Sequence, residues 1–303
     1  MNPLSVSVIV CTHNPREDFL ARTLESLGSQ TLDHARWDLI IVDNASTAPV
    51  ALGAKNAGPP SSRVLVEPEL GLTAARLRGI GAAAAPLLVF VDDDNVLAPD
   101  YLERAVARSE GWPMLGVWGC GSFTPEWEQE PPPGFAPYLA YLAVHRMSRD
   151  RWSNQAFDYG ATPVGAGLCV RSAVARHYAA QVRADARRRL LGRAGVNLAG
   201  CEDFDLALTA IDLGFGTGVF TDLAMIHLMP GQRVAENYLL RLVEGHAYSS
   251  VILRALREPG SIRPRAGIAA RLREFRLRRA LDAIGLKIHD ARRRGEARAW
   301  AQL

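Results

Sequence analysis

The chain of 303 residues is long enough for one large domain or two ordinary ones, and its composition, 48% apolar and 22% charged, is typical of a soluble globular protein. No apolar run reaches the roughly 18 residues of a membrane-spanning helix, and residues 6–10 read as a first strand rather than a signal peptide. The formal net charge of +3 is unevenly distributed, because 14 Arg or Lys accompany five Asp or Glu between Arg254 and Arg298.

The four cysteines are predicted to be free thiols. Cys11, Cys120, Cys169 and Cys201 lie far apart in the sequence, and no two of them have the close spacing of a metal-binding pair. Free thiols are typical of a reducing compartment. We therefore expect a cytoplasmic protein, with peripheral contact at the inner face of the membrane left open by the basic C-terminal part.

Strands and helices are predicted to alternate along the first part of the chain. Short runs rich in β-branched residues predict strands at 6–10, 39–42, 64–66 and 87–91. Helical spacing of apolar residues predicts helices at 16–27, 71–85 and 100–109. This alternation is typical of an α/β fold with a doubly wound, mostly parallel sheet flanked by helices.

Polar side chains follow the predicted strands at the points where the strands end. They are Thr12, Asn14, Asp43, Asn44 and the three aspartates 92–94. In sheets of this kind, ligands bind outside the carboxyl ends of the strands. We therefore expect these side chains to converge on one crevice.

Three consecutive carboxylates, Asp92, Asp93 and Asp94, stand at the end of the strand at 87–91. Adjacent like charges are unfavourable unless they are neutralised or screened by water. Two alternate carboxylates at a strand end can hold a hard divalent cation, whose free positions then take phosphate oxygens. An acidic turn that caps the next helix is the alternative.

The segment from 112 to 162 is less regular and contains many aromatic residues. Long loops inside compact domains are usually functional or disordered, and the aromatic content here favours a wall that stacks on a flat ligand. Residues 163–171 predict a tight turn into a strand, where glycines either allow close approach to a ligand or form a β-bulge. Residues 183–189 predict a basic, solvated helix.

Two acidic residues, Glu202 and Asp203, open a further predicted helix. Acidic residues are favoured at a helix N-terminus by the helix dipole, so capping alone would explain Glu202. A last strand is predicted at 216–220, and His227 follows it in an apolar setting. Such a histidine is either a core residue or a metal ligand.

The C-terminal part is predicted to be helical. Apolar spacing predicts one or two helices at 235–256, packed on the sheet domain or across a homodimer contact. Residues 268–288 predict one amphipathic helix with an arginine-rich polar face, which either docks on an anionic membrane or packs on the protein itself or a second copy. Nucleic-acid binding is not expected, since only Phe275 and Trp300 offer stacking aromatics there.

Five motifs, taken together, resemble those of the family-2 glycosyltransferases, which are inverting enzymes of the GT-A fold. The resemblance covers about residues 4–245. The motifs are the strand and loop at 7–14, the strand with its aspartate at 40–46, the glycine and Ala-Arg helix at 71–79, the Asp-x-Asp motif at 90–94 and the Glu-Asp motif at 200–203. The resemblance implies a GT-A nucleotide-sugar domain over 1–230 and a helical, Arg-rich extension over 231–303.

The resemblance implies roles for individual residues of the donor site. Thr12 and Asn14 would lie around the nucleotide base. Asp43 would accept a hydrogen bond from the ring N–H of the base. Arg76 would support the donor site, and Asp93 belongs with the donor-binding residues.

The resemblance also implies a metal site and a catalytic base. Asp94 would coordinate Mn²⁺ or Mg²⁺, which bridges the two phosphates of the donor. Asp92 would contact the ribose or the metal shell, and His227 matches the position of a further metal or diphosphate ligand. Asp203 would be the general base on the acceptor hydroxyl, with Glu202 shaping the acceptor site.

Two departures from the family pattern refine these expectations. Leu77 follows Ala-Arg where the family often has Asn, which leaves the contacts of Arg76 open. The Gln-x-x-Arg-Trp motif of processive synthases is absent, since Gln232-Arg233-Val234 does not supply it. We therefore expect a metal-dependent, inverting, non-processive glycosyltransferase in glycan, cell-surface polysaccharide or glycoconjugate biosynthesis. A nucleotidyltransferase and a catalytically silent nucleotide or sugar binder are the alternatives.

The identity of the substrates is less constrained than the class of reaction. Uridine is the commonest donor base in the family that the chain resembles, and Asp43 also allows thymidine or guanosine. The acceptor is a glycan, a lipid-linked sugar, a protein or a small metabolite. The irregular segment at 112–162 is expected to select it.

Overall fold

The structure, a computed structural model, describes residues 4–51, 59, 61–260 and 267–303. Nine strands form one sheet in which β3, β2, β1, β4, β8, β6, β9 and β5 lie in that order, while β7 pairs with β9. The strands are β1 Val6–Thr12, β2 Trp37–Asn44, β3 Arg63–Glu67, β4 Leu87–Asp92, β5 Asn95–Leu97, β6 Leu115–Trp127, β7 Arg151–Ser153, β8 Leu168–Arg171 and β9 Gly216–Met229. The predicted α/β class and mostly parallel sheet are confirmed.

The helices connect these strands and then extend beyond them. They are α1 Glu17–Gly28, α2 Leu72–Ala82, α3 Tyr101–Gly111, α4 Ser172–Ala184, α5 Glu202–Asp212, α6 Glu236–Arg257, α7 Ile268–Ala280 and α8 Ala283–Gln302. A 3₁₀ segment, Pro133–Leu142, lies within the aromatic-rich stretch predicted to be irregular. No helix in the described ranges is both long enough and apolar enough to cross a bilayer.

The alternation of side chains along the central strands supplies both faces of the sheet with apolar residues. Val6, Val8 and Val10 point into one core, which also holds apolar residues of α1 and α3. Ile9 and Phe90 point into the opposite core, which holds residues of α2, α4 and α5. Two buried layers therefore fix the register of the strands and the positions of their polar ends.

The register of the parallel strands brings their ends together. Cys11 of β1 lies opposite Asp92 of β4, and Thr12 lies opposite Asp43 of β2. The shorter β5 returns antiparallel to β9, with Asn95 opposite His227. This last pairing places His227 beside the aspartates, although about 130 residues separate them in the sequence.

Two helical predictions were wrong in their boundaries. The amphipathic stretch at 268–288 forms two helices, because the Asp282 side chain accepts a hydrogen bond from the Gly285 N–H and starts α8. The basic helix at 183–189 is divided similarly, since Asp185 caps a 3₁₀ segment, Ala186–Leu191, after α4 has ended. The stretch at 235–256 is a single helix, α6. The domain boundary at 230 stays a prediction.

Candidate active site

A cleft of about 370 Å³ opens at the carboxyl ends of the parallel strands. Of the ten residues to which the family resemblance assigns a role, eight line it: Thr12, Arg76, Asp92, Asp93, Asp94, Glu202, Asp203 and His227. They come from β1, α2, the end of β4, the start of α5 and β9. The sheet therefore gathers into one cleft residues that are spread over more than 200 positions of sequence.

Two of the three consecutive aspartates have different partners. The Asp93 carboxylate accepts a hydrogen bond from the Thr12 hydroxyl. Burial and the neighbouring Asp94 raise the pKa of Asp93 to about 7. Asp94 is also buried, which opposes its ionisation, but Arg233 and His227 hold the pKa of its carboxyl below the usual range. Asp94 therefore ionises at a lower pH than Asp93.

Arg233 joins Asp94 to His227. Its Nη2 lies 2.6 Å from Asp94 Oδ2, and its Nη1 lies 3.0 Å from His227 Nε2. The other Asp94 oxygen accepts a hydrogen bond from Asn95 at 3.0 Å. The Nδ1 atom of His227 is buried without a hydrogen-bond partner in the part of the chain that the structure describes.

The donor atoms near Asp94 suit a metal ion in kind but not in arrangement. Carboxylate oxygens and an imidazole nitrogen are ligands that Mn²⁺ accepts, and carboxylate oxygens suit Mg²⁺. Within the described ranges, however, no three His, Cys, Asp or Glu side chains come together as a metal site. The Arg233 guanidinium already contacts both Asp94 and His227. These residues therefore do not fit a metal ion in this arrangement, because the Arg233 guanidinium is already the cation that they contact.

A second charged group lies at the start of α5. Arg76 Nη1 lies 3.1 Å from Glu202 Oε1, and both side chains are at most 5% exposed. The Glu202 Oε2 atom has no partner among the described residues. Burial, followed by the Asp203 charge, raises the pKa of Glu202 to about 7. A buried pair of this kind holds the two side chains in one relative position.

Asp203 is less buried than Glu202, and its Oδ1 accepts a hydrogen bond of 2.8 Å from the Phe204 N–H. Its Oδ2 accepts a hydrogen bond of 2.8 Å from the Gly165 N–H, while the Gly165 carbonyl accepts one of 3.4 Å from Arg76. A Cβ at position 165 would lie 2.4 Å from Arg76 Nη2, so only glycine allows this approach. Burial raises the pKa of Asp203, which makes its carboxylate a stronger base than an exposed one.

Asn14 and Asp43, predicted to lie around the base, are not among the residues that line the cleft. The Asp43 carboxylate accepts hydrogen bonds from the N–H groups of Val50 at 3.0 Å and Ser46 at 3.3 Å. Asn14 Oδ1 accepts one from the Thr47 N–H at 2.8 Å. Both side chains therefore organise the loop after β2, and their roles toward a base stay predictions.

Residues from α6 and from the loop before α5 complete the cleft, and sequence reasoning missed them. Tyr141 lies edge-on to His246, with ring centroids 5.7 Å apart. Burial lowers the pKa of His246 to about 4, so this ring is neutral at pH 7. Arg193 is exposed, and its side chain has no ion pair or hydrogen bond to any residue that the structure describes.

The residues that sequence reasoning missed had only weak signals in the sequence. Arg233 stands in the Gln232-Arg233-Val234 segment, which was set aside because it does not complete the processive motif. Arg193 is flanked by Gly192 and Gly195, which is consistent with a loop but does not indicate a cleft. His246 lies on a long helix with no accompanying motif. Their common position depends on how α6 and this loop pack, which no local pattern encodes.

The comparisons with known proteins agree with this geometry. Residues 7–132 match the model of glycosyl transferase family 2. AglE from Haloferax volcanii, a glycosyltransferase, is 30% identical over 122 residues, which are 39% of this chain and 40% of AglE. The uncharacterized glycosyltransferase YwdF from Bacillus subtilis is 29% identical over 107 residues, 35% of this chain and 39% of YwdF. The match therefore spans about two fifths of each relative's length.

Solved structures show the same fold at low identity. S. aureus TarS 1–349, crystallised in complex with UDP-GlcNAc, superposes with a TM-score of 0.51 and 13% identity, covering 98% of this chain and 89% of TarS 1–349. The sheet and its flanking helices are thus those of a GT-A type structure, as predicted. The similarity to glycosyl transferase family 2 is confined to residues 7–132 of the chain.

Proposed function

We propose that this chain transfers a sugar from a nucleotide diphosphate donor to an acceptor hydroxyl. The observation that carries the proposal is one cleft holding the strand-end aspartates, three arginines and the carboxylate of Asp203. The family match supports a glycosyltransferase. The UDP-GlcNAc complex of TarS, which has the same fold, supports a UDP-sugar as donor.

In the proposed reaction the diphosphate gains negative charge as the bond to the anomeric carbon breaks. Arg193 lies near enough for its charge to act on Asp94 and Asp203, so an anion in the cleft also lies within its field. Arg233 provides a second positive charge at Asp94. Positive charge placed where negative charge develops stabilises the leaving group.

Asp203 is the proposed general base. Its carboxylate is partly exposed to the cleft, whereas Glu202 is buried and paired with Arg76. A carboxylate that takes the proton of the acceptor hydroxyl in the transition state typically contributes about 10²–10⁴-fold. Attack from the face opposite the diphosphate inverts the anomeric centre, and no covalent enzyme intermediate is required.

The proposed acceptor side is formed by aromatic and apolar residues of the cleft: Tyr141, Phe204, Tyr238, Leu242 and His246. Such a wall can stack on the flat face of a sugar ring while leaving its hydroxyl groups free. We propose transfer of one sugar per encounter to a glycan, lipid-linked or small-molecule acceptor. Holding donor and acceptor in line can supply roughly 7–11 kcal/mol of barrier lowering.

The divalent cation implied by the family resemblance stays a prediction. The proposed transfer relies on cations that the chain itself supplies, because Arg233 already neutralises Asp94. A metal ion at Asp94 and His227 would require the guanidinium to leave. No step of the proposed transfer depends on that exchange.

A first test measures the thermal stability of the full chain with UDP, GDP or TDP, each with and without Mn²⁺. We expect one nucleotide to raise the melting temperature by binding the folded state. If none does, the donor site is disproved.

The second test is Asp203→Asn. We expect this variant to keep the shift with UDP and to lose about 10²–10⁴-fold in turnover, measured as UDP release from UDP-sugars with a panel of acceptors. Glu130→Gln, on the exposed surface, is the control. Near-normal turnover in Asp203→Asn would contradict the assignment of the base.

A further inference from the structure

The two helices that replace the predicted C-terminal helix have opposite surroundings. In α8, Ile284 and Ile288 pack in a cluster with residues of α6 and of the 3₁₀ segment Pro133–Leu142. In α7, Ile268, Leu272 and Phe275 are 78%, 54% and 58% exposed. Of the alternatives that the sequence left open, packing on the protein itself therefore describes α8 but not α7.

Three of the four large apolar residues that are exposed on α7 lie on one face of the helix, because Ile268, Leu272 and Phe275 follow one another at spacings of four and three. The fourth, Leu277, is 45% exposed and lies on another side. Another side of α7 meets α8 through polar groups. Arg278 pairs with Asp290, and Glu274 pairs with His289. These contacts hold the helix against the protein while its apolar face stays open.

Positive charge borders this apolar face. The sequence of α7 contains five arginines and one glutamate. Arg273 and Arg276 are exposed and have no ion pair or hydrogen bond with any described residue. Arg279 lies over the Phe275 ring, with its guanidinium carbon 5.6 Å from the ring centroid. The face thus combines bulky apolar groups with cations that lack protein partners within the described ranges.

We propose that α7 docks on an anionic membrane surface. Ile268, Leu272 and Phe275 enter the boundary between headgroups and acyl chains, and Arg273 and Arg276 contact anionic headgroups. A basic amphipathic helix binds such a surface by burying its apolar face and by electrostatic attraction. A symmetric contact with a second copy would bring the same arginines toward each other and would bury their charge without carboxylates.

The docking surface is linked to the cleft through the protein interior. The 3₁₀ segment Pro133–Leu142 contributes Tyr138 and Leu139 to the cluster around α8. The same segment contributes Tyr141 and Leu142 to the cleft. This surface goes beyond the proposed transfer and does not depend on it, because membrane binding needs no donor.

The test is sedimentation of the full chain with vesicles of phosphatidylcholine alone or with one-third phosphatidylglycerol. We expect the chain to sediment with the anionic vesicles only, and more weakly at high salt. Arg273→Gln with Arg276→Gln should weaken binding about 30-fold, since each arginine near an anionic surface is worth about 1 kcal/mol. Leu272→Ser with Phe275→Ser should weaken it about tenfold or more.

The control is Arg176→Gln with Arg183→Gln, which removes two exposed arginines from α4 and should sediment like the unmodified chain. In every variant, the melting temperature without UDP reports folding, and its rise with UDP reports donor binding. Both are measured without vesicles. No sedimentation with anionic vesicles, or equal sedimentation with neutral ones, overturns the proposal. A dimer in light scattering that Leu272→Ser with Phe275→Ser dissociates, without vesicle binding, would identify a second copy as the occupant and also overturn it.

Discussion

Arg233 neutralises the carboxylate of Asp94 within the cleft. It contacts both Asp94 and His227, two of the side chains that the family resemblance assigns to a metal. A metal ion and this guanidinium compete for the same carboxylate oxygen. The affinity of the cleft for a cation therefore depends on how readily Arg233 withdraws.

We expect Arg233→Met to bind Mn²⁺ more tightly than the unmodified chain in the absence of nucleotide. A hydrogen bond to a charged group is worth about 1.5–3 kcal/mol, so the gain should be about tenfold or more. Titration calorimetry with Mn²⁺ measures it directly. Arg193→Met is the control, because it removes a positive charge from the cleft without releasing Asp94. An unchanged affinity in Arg233→Met would show that Arg233 does not compete with a metal.

Glu202 makes the stability of the protein depend on pH. Its pKa is raised from 4.5 to about 7 in the folded chain, mainly by burial. Between these values the folded state holds a proton that the unfolded state has released. Raising the pH through this window therefore lowers the free energy of unfolding, by about 3 kcal/mol at most.

The corresponding experiment is urea unfolding of Glu202→Gln from pH 5 to 8. We expect the fall in unfolding free energy to be smaller in this variant than in the unmodified chain, because the titrating group is gone. The overall stability of the variant will also change, since Arg76 loses its charged partner, so the slope is the quantity to compare. Glu130→Gln should keep the slope of the unmodified chain. An identical slope in Glu202→Gln would contradict the raised pKa.

Among the elements, the short strand β5 determines the geometry of the aspartate cluster. Its first residue, Asn95, is fully buried and pairs opposite His227. The Asn95 side chain accepts a hydrogen bond from the Asp92 N–H at 3.2 Å and donates one to Asp94 at 3.0 Å. One amide thus fixes the turn between β4 and β5 and orients a carboxylate.

We expect Asn95→Ala to lower the free energy of unfolding by about 1–3 kcal/mol, because the partly buried Asp92 N–H and the buried Asp94 carboxylate each lose a partner. It should also weaken UDP binding, since Asp94 is no longer held. Urea unfolding and calorimetry with UDP measure the two effects. Asn154→Ala, at an exposed position, is the control. Equal stability of the two variants would contradict the role assigned to Asn95.

The strands of the first half could be predicted from the sequence because each is a short apolar run bounded by turn residues, as at Val6 and Leu87. The division between α7 and α8 could not be predicted, because the apolar spacing continues across Asp282. Only the hydrogen bond from the Gly285 N–H to the Asp282 side chain marks the start of α8. The cleft residues that could be predicted are those in motifs at the ends of strands, such as Asp94. Arg193 and His246 were missed because long-range packing, with no local signal, brings them to the site.

At the scale of the whole molecule, the cleft is lined by residues inside the family match and by residues outside it. The family match ends at residue 132, so it includes the strand-end aspartates but not the start of α5 or α6. Residues on both sides of position 230 line the cleft. The proposed boundary at 230 therefore separates two parts of the sequence but not two parts of the site.

The close packing of α6 against α8 extends this conclusion to the acceptor wall. A Cβ at Gly295 of α8 would lie 2.1 Å from the Glu244 carbonyl oxygen of α6, so the two helices touch at their backbones. On its other side, α6 presents Tyr238, Leu242 and His246 to the cleft. Tyr238, Leu242 and His246, three of the five residues of the proposed acceptor wall, therefore rest on a helix that α8 supports. Substitutions in α8 are therefore expected to shift these three side chains of the proposed wall while the strand-end aspartates stay in place.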